Sequence, residues 1–121
     1  MHKILIVEDD ELTLNVLHTF LISKKFDVAT ASDGSEAITR IDNGQFDLIL
    51  SDVQMTPMDG MTFLETIRRR ENNVPFILMT GHPKIDAYIH AVQKLGAFEY
   101  IQKPIDLDIL YIAIERLLKL E

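Results

Sequence analysis

With 121 residues, of which 47% are hydrophobic and 26% charged, the chain has the length and composition of one globular domain, and we read residues 1–121 as a single domain around one core. A formal net charge of −7 argues against a direct grip on nucleic acid. The sequence holds no apolar run of about 18 residues to cross a membrane, and the absence of cysteine rules out disulfides and thiolate metal sites.

Met1-His2-Lys3 leads into an apolar run rather than an export signal, so a cytoplasmic location is the expectation. That run, Lys3–Val7, reads as a strand; the acidic triplet Glu8-Asp9-Asp10 follows it, then a helix over Glu11–Lys24. A second strand, Val28–Ala31, passes through Asp33-Gly34 into a helix over Ser35–Asn43. The third strand, Leu48–Ser51, is closed by Asp52, and beyond a loop Asp59-Gly60 opens a helix over Met61–Glu71. Arg68-Arg69-Arg70 ends that helix, where cations offset the helix dipole. After Val74-Pro75 come a strand over Phe76–Met79, then Thr80-Gly81, the His82-Pro83 turn and a helix over Ile85–Leu95. Gly96 precedes the last strand, Tyr100–Gln102, and Lys103-Pro104 precedes a helix over Leu107–Leu120. Such alternation implies right-handed crossovers and a five-stranded parallel α/β sheet with helices on both faces. Ile4-Leu5-Ile6-Val7 and Phe76-Ile77-Leu78-Met79 are continuously apolar, as strands covered on both faces are.

In open sheets of this kind, ligands bind beyond the carboxyl ends of the strands, and that is where the acids fall. Capping of the first helix would use one member of Glu8-Asp9-Asp10, which leaves two unexplained. Asp52 stands too far from the next helix to cap it, and Asp59 is the better cap. A carboxylate closing an apolar run is costly to bury unless paired, and several together need a divalent cation, a proton or a lysine between them. Singly, Thr80 reads as a strand residue and Lys103 as a solvated one; jointly they stand at the same edge. His18 and His90 fall on helices without a second ligand at metal spacing, so no zinc site is expected, and no phosphate-binding glycine motif occurs.

Leu5-Ile6-Val7-Glu8-Asp9, Asp52 with Met55 and Met58-Asp59-Gly60, Thr80-Gly81, and Gly96-Ala97 leading to Tyr100 and Lys103-Pro104 together resemble the receiver domains of bacterial two-component response regulators. The resemblance runs over essentially the whole chain. It implies the flavodoxin-like doubly wound sandwich with strand order 2-1-3-4-5. It implies Asp52 as phosphoacceptor, with Mg2+ held by Glu8, Asp9, Asp52 and the backbone carbonyl of Gln54. Thr80 matches the hydroxyl that turns to the phosphoryl group, Tyr100 the aromatic switch, and Lys103 the phosphate-pairing lysine, aimed by a cis bond to Pro104. Gln54 and His82 match the positions that tune the phosphoryl lifetime. Two departures stand out: Glu8 where aspartate is commoner, and Thr56-Pro57 where proline usually comes one place earlier.

The implied function is a phosphorylation-dependent switch that receives its phosphoryl group from a sensor histidine kinase or a histidine phosphotransfer protein. It would promote only its own phosphorylation and dephosphorylation. Its reporting surface would be the last helix, the last strand and the helix before it, residues 85–120, facing a second copy or an output domain. Apolar residues there run in one stripe through Leu107, Leu110, Ile114 and Leu117 and in another through Ile105, Ile109 and Ile112, wider than one buried face needs. The segments Met79–Gly81, Ala97–Tyr100 and Pro104–Leu107 are loosely like receivers of transcription activators with an ATPase domain. A chain ending at Glu121 fits a stand-alone regulator or a receiver cut from a longer protein. Two other classes compete. A Mg2+-dependent phosphatase with an aspartyl nucleophile would share the acids and the lysine, but Gln54 stands where a second acid belongs and the loops are short. A pseudo-receiver would have lost the chemistry, whereas its groups are all present.

Overall fold

The computed structural model describes residues 1–54, 58–81, 90–97 and 99–119. Its strands are β1 (Lys3–Val7), β2 (Asp27–Ala31), β3 (Leu48–Asp52), β4 (Phe76–Thr80) and β5 (Glu99–Gln102), and its α-helices α1 (Glu11–Ser23), α2 (Gly34–Asp42), α3 (Gly60–Arg69) and α4 (Leu107–Leu118). The strands form one sheet in the order β2-β1-β3-β4-β5, and every neighbouring pair is parallel.

Alternate side chains of the central strands enter two separate cores. Ile4, Ile6, Leu48, Leu50, Ile77 and Met79 pack with Leu17 and Leu21 of α1 and Leu110 and Ile114 of α4. On the other face Leu5, Val7, Ile49, Phe76 and Leu78 meet Ala37 of α2 and Phe63, Leu64 and Ile67 of α3. Every residue of β3 and β4 is buried, which explains the continuous apolar runs Leu48–Leu50 and Phe76–Met79 that precede the polar strand ends. The Phe63 and Phe76 rings tie α3 to β4 in a tilted pair with centroids 5.4 Å apart.

An aspartate caps the amino end of each of these helices. Asp10 accepts from the Thr13 amide, Asp33 from Glu36, Asp59 from Thr62, and Asp106 from Asp108 and Ile109, each satisfying amides that have no partner within the helix. Asp10 is therefore the capping member of the acidic triplet, and Asp59 caps α3 as the sequence indicates.

Most element ends shift by one or two residues from the sequence reading, and one helix departs from it further. β3 and β4 each extend one residue further, so that Asp52 and Thr80 are the last residues of strands rather than the first of loops. Of the helix expected over Ile85–Leu95, residues 85–89 lie outside the described residues, and His90–Lys94 is a π-helical stretch closed by the Leu95 amide on the His90 carbonyl at 3.1 Å. Arg68 holds the backbone that follows this stretch. Its guanidinium donates to the carbonyls of Leu95 at 2.6 Å, Gly96 at 3.3 Å and Asn72 at 2.9 Å, and Gly96 adopts φ +69°, a conformation that favours glycine. Arg68 thus joins α3 to the approach to β5, a structural role beyond offsetting the helix dipole. Among the described residues no helix is long and apolar enough to cross a membrane.

Candidate functional site

Register decides which side chains meet at the carboxyl edge of the sheet. Val7 of β1 is level with Ser51 of β3, Asp52 with Met79 of β4, and Thr80 with Gln102 of β5. The ladder then runs on for one bond past the strands: Glu8 N donates to Ala31 O at 3.0 Å, Val53 N to Met79 O at 2.8 Å, and Lys103 N to Thr80 O at 2.7 Å. Glu8, Asp52, Thr80 and Lys103 are consequently fixed by strand backbone rather than by loops.

Glu8 and Asp52 are almost fully buried, at 1% and 3% exposure, and Thr80 likewise at 1%; Asp9 is exposed. One carboxylate oxygen from each of Glu8, Asp9 and Asp52 lies within 4.8 Å of the other two. Lys103 reaches into the cluster, with Nζ 2.7 Å from Glu8 Oε1 and 3.2 Å from Asp52 Oδ2. The peptide that joins Lys103 to Pro104 is cis, in accord with the sequence expectation. Backbone amides supply further donors: Asp10 N to Glu8 Oε2 at 3.1 Å and Gln54 N to Asp52 Oδ1 at 3.3 Å.

These donors do not balance the acids. Burial is the larger effect on Glu8 and raises its pKa from 4.5 to about 7, with the Asp52 carboxylate adding to the rise and the Lys103 and Asp10 hydrogen bonds opposing it. Burial by itself would lower the Lys103 pKa, but the Glu8 and Asp52 carboxylates outweigh it and hold the ammonium above its usual value. The lysine is therefore a firmly held cation, while Glu8 keeps an appetite for a proton. With all three carboxylates ionised against one ammonium the cluster remains negative, and the donors are hard oxygens around a partly open space. This set fits an oxygen-seeking divalent cation, and Mg2+, which keeps several waters and takes few carboxylates, suits it better than Ca2+.

Tyr100 is half-buried on β5. Burial raises its phenol pKa, against a side-chain hydrogen bond with Thr80 that lowers it. Tyr100 and Thr80 are therefore linked directly. Gln54 is exposed, two residues past Asp52. His82, Met55, Thr56 and Pro57 lie outside the described residues. Ser51 escaped the sequence reading: fully buried, it donates its hydroxyl to the Asp52 carbonyl at 3.0 Å. The only sequence signal was a hydroxyl placed inside an otherwise apolar strand.

A sheet of this order, with a buried aspartate, an acidic pair and a lysine gathered at its carboxyl edge, defines a doubly wound domain built around an anionic site. The family model for the response regulator receiver domain matches residues 4–115, and the chain belongs to that family. Among curated relatives, the transcriptional regulatory protein GlrR of Escherichia coli (strain K12) is 36% identical over 112 residues, covering 93% of this chain and 25% of that protein. The chain thus spans about a quarter of the length of the curated relatives it matches. Among solved structures, a two-component response regulator from Clostridium difficile superposes with a TM-score of 0.92 at 29% identity, covering 99% of this chain and 98% of that one. The response regulator TrrA from Thermotoga maritima, in complex with Mg2+-BeF, gives a TM-score of 0.83 at 25% identity, with 97% and 99% covered.

Proposed function

We propose that this receiver domain is switched by transfer of a phosphoryl group to Asp52 from a sensor histidine kinase or a histidine phosphotransfer protein. The observation that carries the reading is a buried Asp52 carboxylate with Lys103 Nζ 3.2 Å from one oxygen and the Gln54 amide 3.3 Å from the other. Asp52 attacks phosphorus as the carboxylate, so it has no proton to lose. A new O–P bond forms as the donor's bond to phosphorus breaks, and the electron pair leaves with the donor group, a phosphohistidine nitrogen in the case of a kinase. Transfer of this kind asks the protein mainly for alignment and charge neutralisation. Lys103, already directed at Asp52, meets one phosphoryl oxygen as a point charge. Thr80, at the end of the neighbouring strand, donates its hydroxyl to another.

Mg2+ is the cofactor we propose, held by Glu8, Asp9, Asp52 and the Gln54 backbone carbonyl; when bound it neutralises phosphoryl oxygens. The chain's own groups then relay the event. A hydroxyl recruited to the phosphoryl group leaves its bond with Tyr100, and the replacement of a carboxylate of charge −1 at Asp52 by an acyl phosphate of roughly −1.5 to −2, with its three new acceptor oxygens, is converted into a new Tyr100 position on β5, a local event that biases a two-state element. The surface that reports it is the 85–120 face. There Ile109 and Ile112 are 56% and 48% exposed, and a cavity of about 530 Å³ runs beside them along Tyr100, Ile101 and Pro104. A second copy or an output domain is the occupant we propose. The domain acts on its own aspartate and on no other substrate.

The phosphoryl lifetime we assign to Gln54, which can orient a water, and to His82, which changes charge between about pH 5 and 8. Autodephosphorylation should vary with pH across that range, and His82→Ala should flatten the profile; superimposable profiles would remove His82 from the site. The central test is intact-mass measurement after incubation with acetyl phosphate and Mg2+. One phosphate should be added, and none to Asp52→Asn or in the presence of a chelator. Undiminished labelling of Asp52→Asn would overturn the assignment.

A further inference from the structure

The first turn of α3 lies against the backbone of Asp52 and Val53 more closely than any side chain allows. Gly60 N donates to Val53 O at 2.8 Å. A Cβ built on Gly60 would overlap the Asp52 carbonyl oxygen outright and stand 2.9 Å from Val53 Cα and 3.0 Å from the Asp52 carbonyl carbon. All three obstacles are backbone, so no rotamer change relieves them. At Gly34, by contrast, the obstacles are Sδ, Cγ and Cβ of Met58 at 2.8, 2.9 and 3.1 Å, all of one side chain rather than backbone, and at Gly44 nothing is nearer than Lys3 Nζ at 3.6 Å. The buried Ser51 hydroxyl also donates to the Asp52 carbonyl at 3.0 Å. The Asp52 carbonyl thus meets both the Ser51 hydroxyl and the bare Cα of Gly60, while its carboxylate faces Glu8 and Lys103.

We propose that Gly60 is a positioning residue for the Asp52 site, an inference that rests on the phosphoacceptor reading above: the missing side chain lets α3 close on the Asp52 peptide and fixes the direction of the carboxylate. A methyl group at Gly60 forces apart two stretches of backbone that a hydrogen bond holds together, and the displaced group is the peptide of Asp52 itself. Because the residues that orient a ligand typically alter metal affinity by 10–100-fold when changed, and misplacement by about 1 Å can slow a positioned reaction about 100-fold, the effect should appear in both.

The test compares Gly60→Ala with Ile114→Val, which removes one methyl from the opposite core, and with Gly44→Ala. Mg2+ affinity is measured by calorimetric titration of the folded proteins, together with the maximal rate of labelling by acetyl phosphate at saturating Mg2+. Gly60→Ala should bind Mg2+ about tenfold more weakly or worse and keep a reduced maximal rate once Mg2+ saturates. Ile114→Val and Gly44→Ala should leave both unchanged, whatever they do to the melting temperature. If Gly60→Ala does not fold, Ser51→Ala frees the same carbonyl without adding an atom, and a loss of Mg2+ affinity of more than twofold, approaching about tenfold, is then expected. Affinity and rate within twofold of the parent protein, for Gly60→Ala or in its place Ser51→Ala, would reduce Gly60 to a packing residue and leave the phosphoacceptor reading intact. Failure of the parent protein to take up phosphate at all would overturn that reading and this inference with it.

Discussion

Both ends of the sheet carry charged residues, but they handle them in opposite ways. At the amino edge the Lys3 amide donates to Asp47 at 2.8 Å, Lys3 Nζ lies over the Phe46 ring at 5.0 Å, and Arg70 pairs with Asp42 at 3.1 Å with both side chains about half exposed. Water screens these charges, and each acid has a partner of its own. At the carboxyl edge Glu8 and Asp52 are buried and share a single lysine with each other, with Asp9 close by. Pairs of the first kind contribute about 0–1 kcal/mol each. Charges of the second kind are expensive to bury and respond strongly to a proton or a cation. The difference lies in burial rather than in residue type, and it is what separates a surface from a site.

Removing Lys103 should break the contrast most severely. Lys103→Met leaves two buried carboxylates facing each other without a cation, which we expect to lower stability by about 3 kcal/mol in metal-free buffer near pH 8. The labelling rate should fall by a factor on the order of 100 or more, as when a donor to developing charge is lost. Thermal melts with and without Mg2+ check the first, and Mg2+ should restore part of the loss. A melting temperature equal to that of the parent would show that the cluster is solvated after all.

Next in size is the pH dependence of the metal-free protein. The pKa of Glu8 is raised on folding from 4.5 to about 7, so between those values the folded state holds a proton that the unfolded chain releases. The contribution of Glu8 is therefore fully present below about pH 4.5 and declines as the pH rises through 7, by an amount on the order of 2 kcal/mol, or roughly 5–10 °C in melting temperature. Glu8→Gln should flatten the profile between pH 5 and 8, and saturating Mg2+ should do so without any substitution. A parent protein whose stability rises over that interval would contradict the sign.

The smallest effect belongs to the opposite end. Arg70→Ala should change the melting temperature by no more than the equivalent of about 0.5 kcal/mol and leave Mg2+ affinity and labelling untouched. A larger loss would mean that the two edges differ less than their burial suggests.

Much of this arrangement is readable along the chain. Continuous apolar runs alternate with amphipathic segments, and the right-handed crossover leaves few ways to assemble them; four polar or acidic positions at strand ends then mark the edge where chemistry gathers. The discrepancies are local. Strand ends were read one residue short at Asp52 and Thr80, because a polar residue at the end of an apolar run looks like the start of a loop when the neighbouring strand that continues the ladder is not in view. His82 and residues 85–89 of the helix expected before β5 lie outside the described residues and are neither supported nor opposed by the fold.

Sequence by itself therefore determined the order and kind of the elements, the family, and which residues stand at the carboxyl edge, since periodicity and turn chemistry act over a few residues. Tertiary structure alone decided how those residues are partnered. Lys103 meets Glu8 across 95 positions of chain, the Tyr100 and Thr80 side chains bond across the β4–β5 pair, and Gly60 lies against the Asp52 carbonyl because α3 folds back over the end of β3. Burial, and with it the raised proton affinity of Glu8, is a property of the assembled layers: the same glutamate on an isolated strand end would face water and titrate as an ordinary acid.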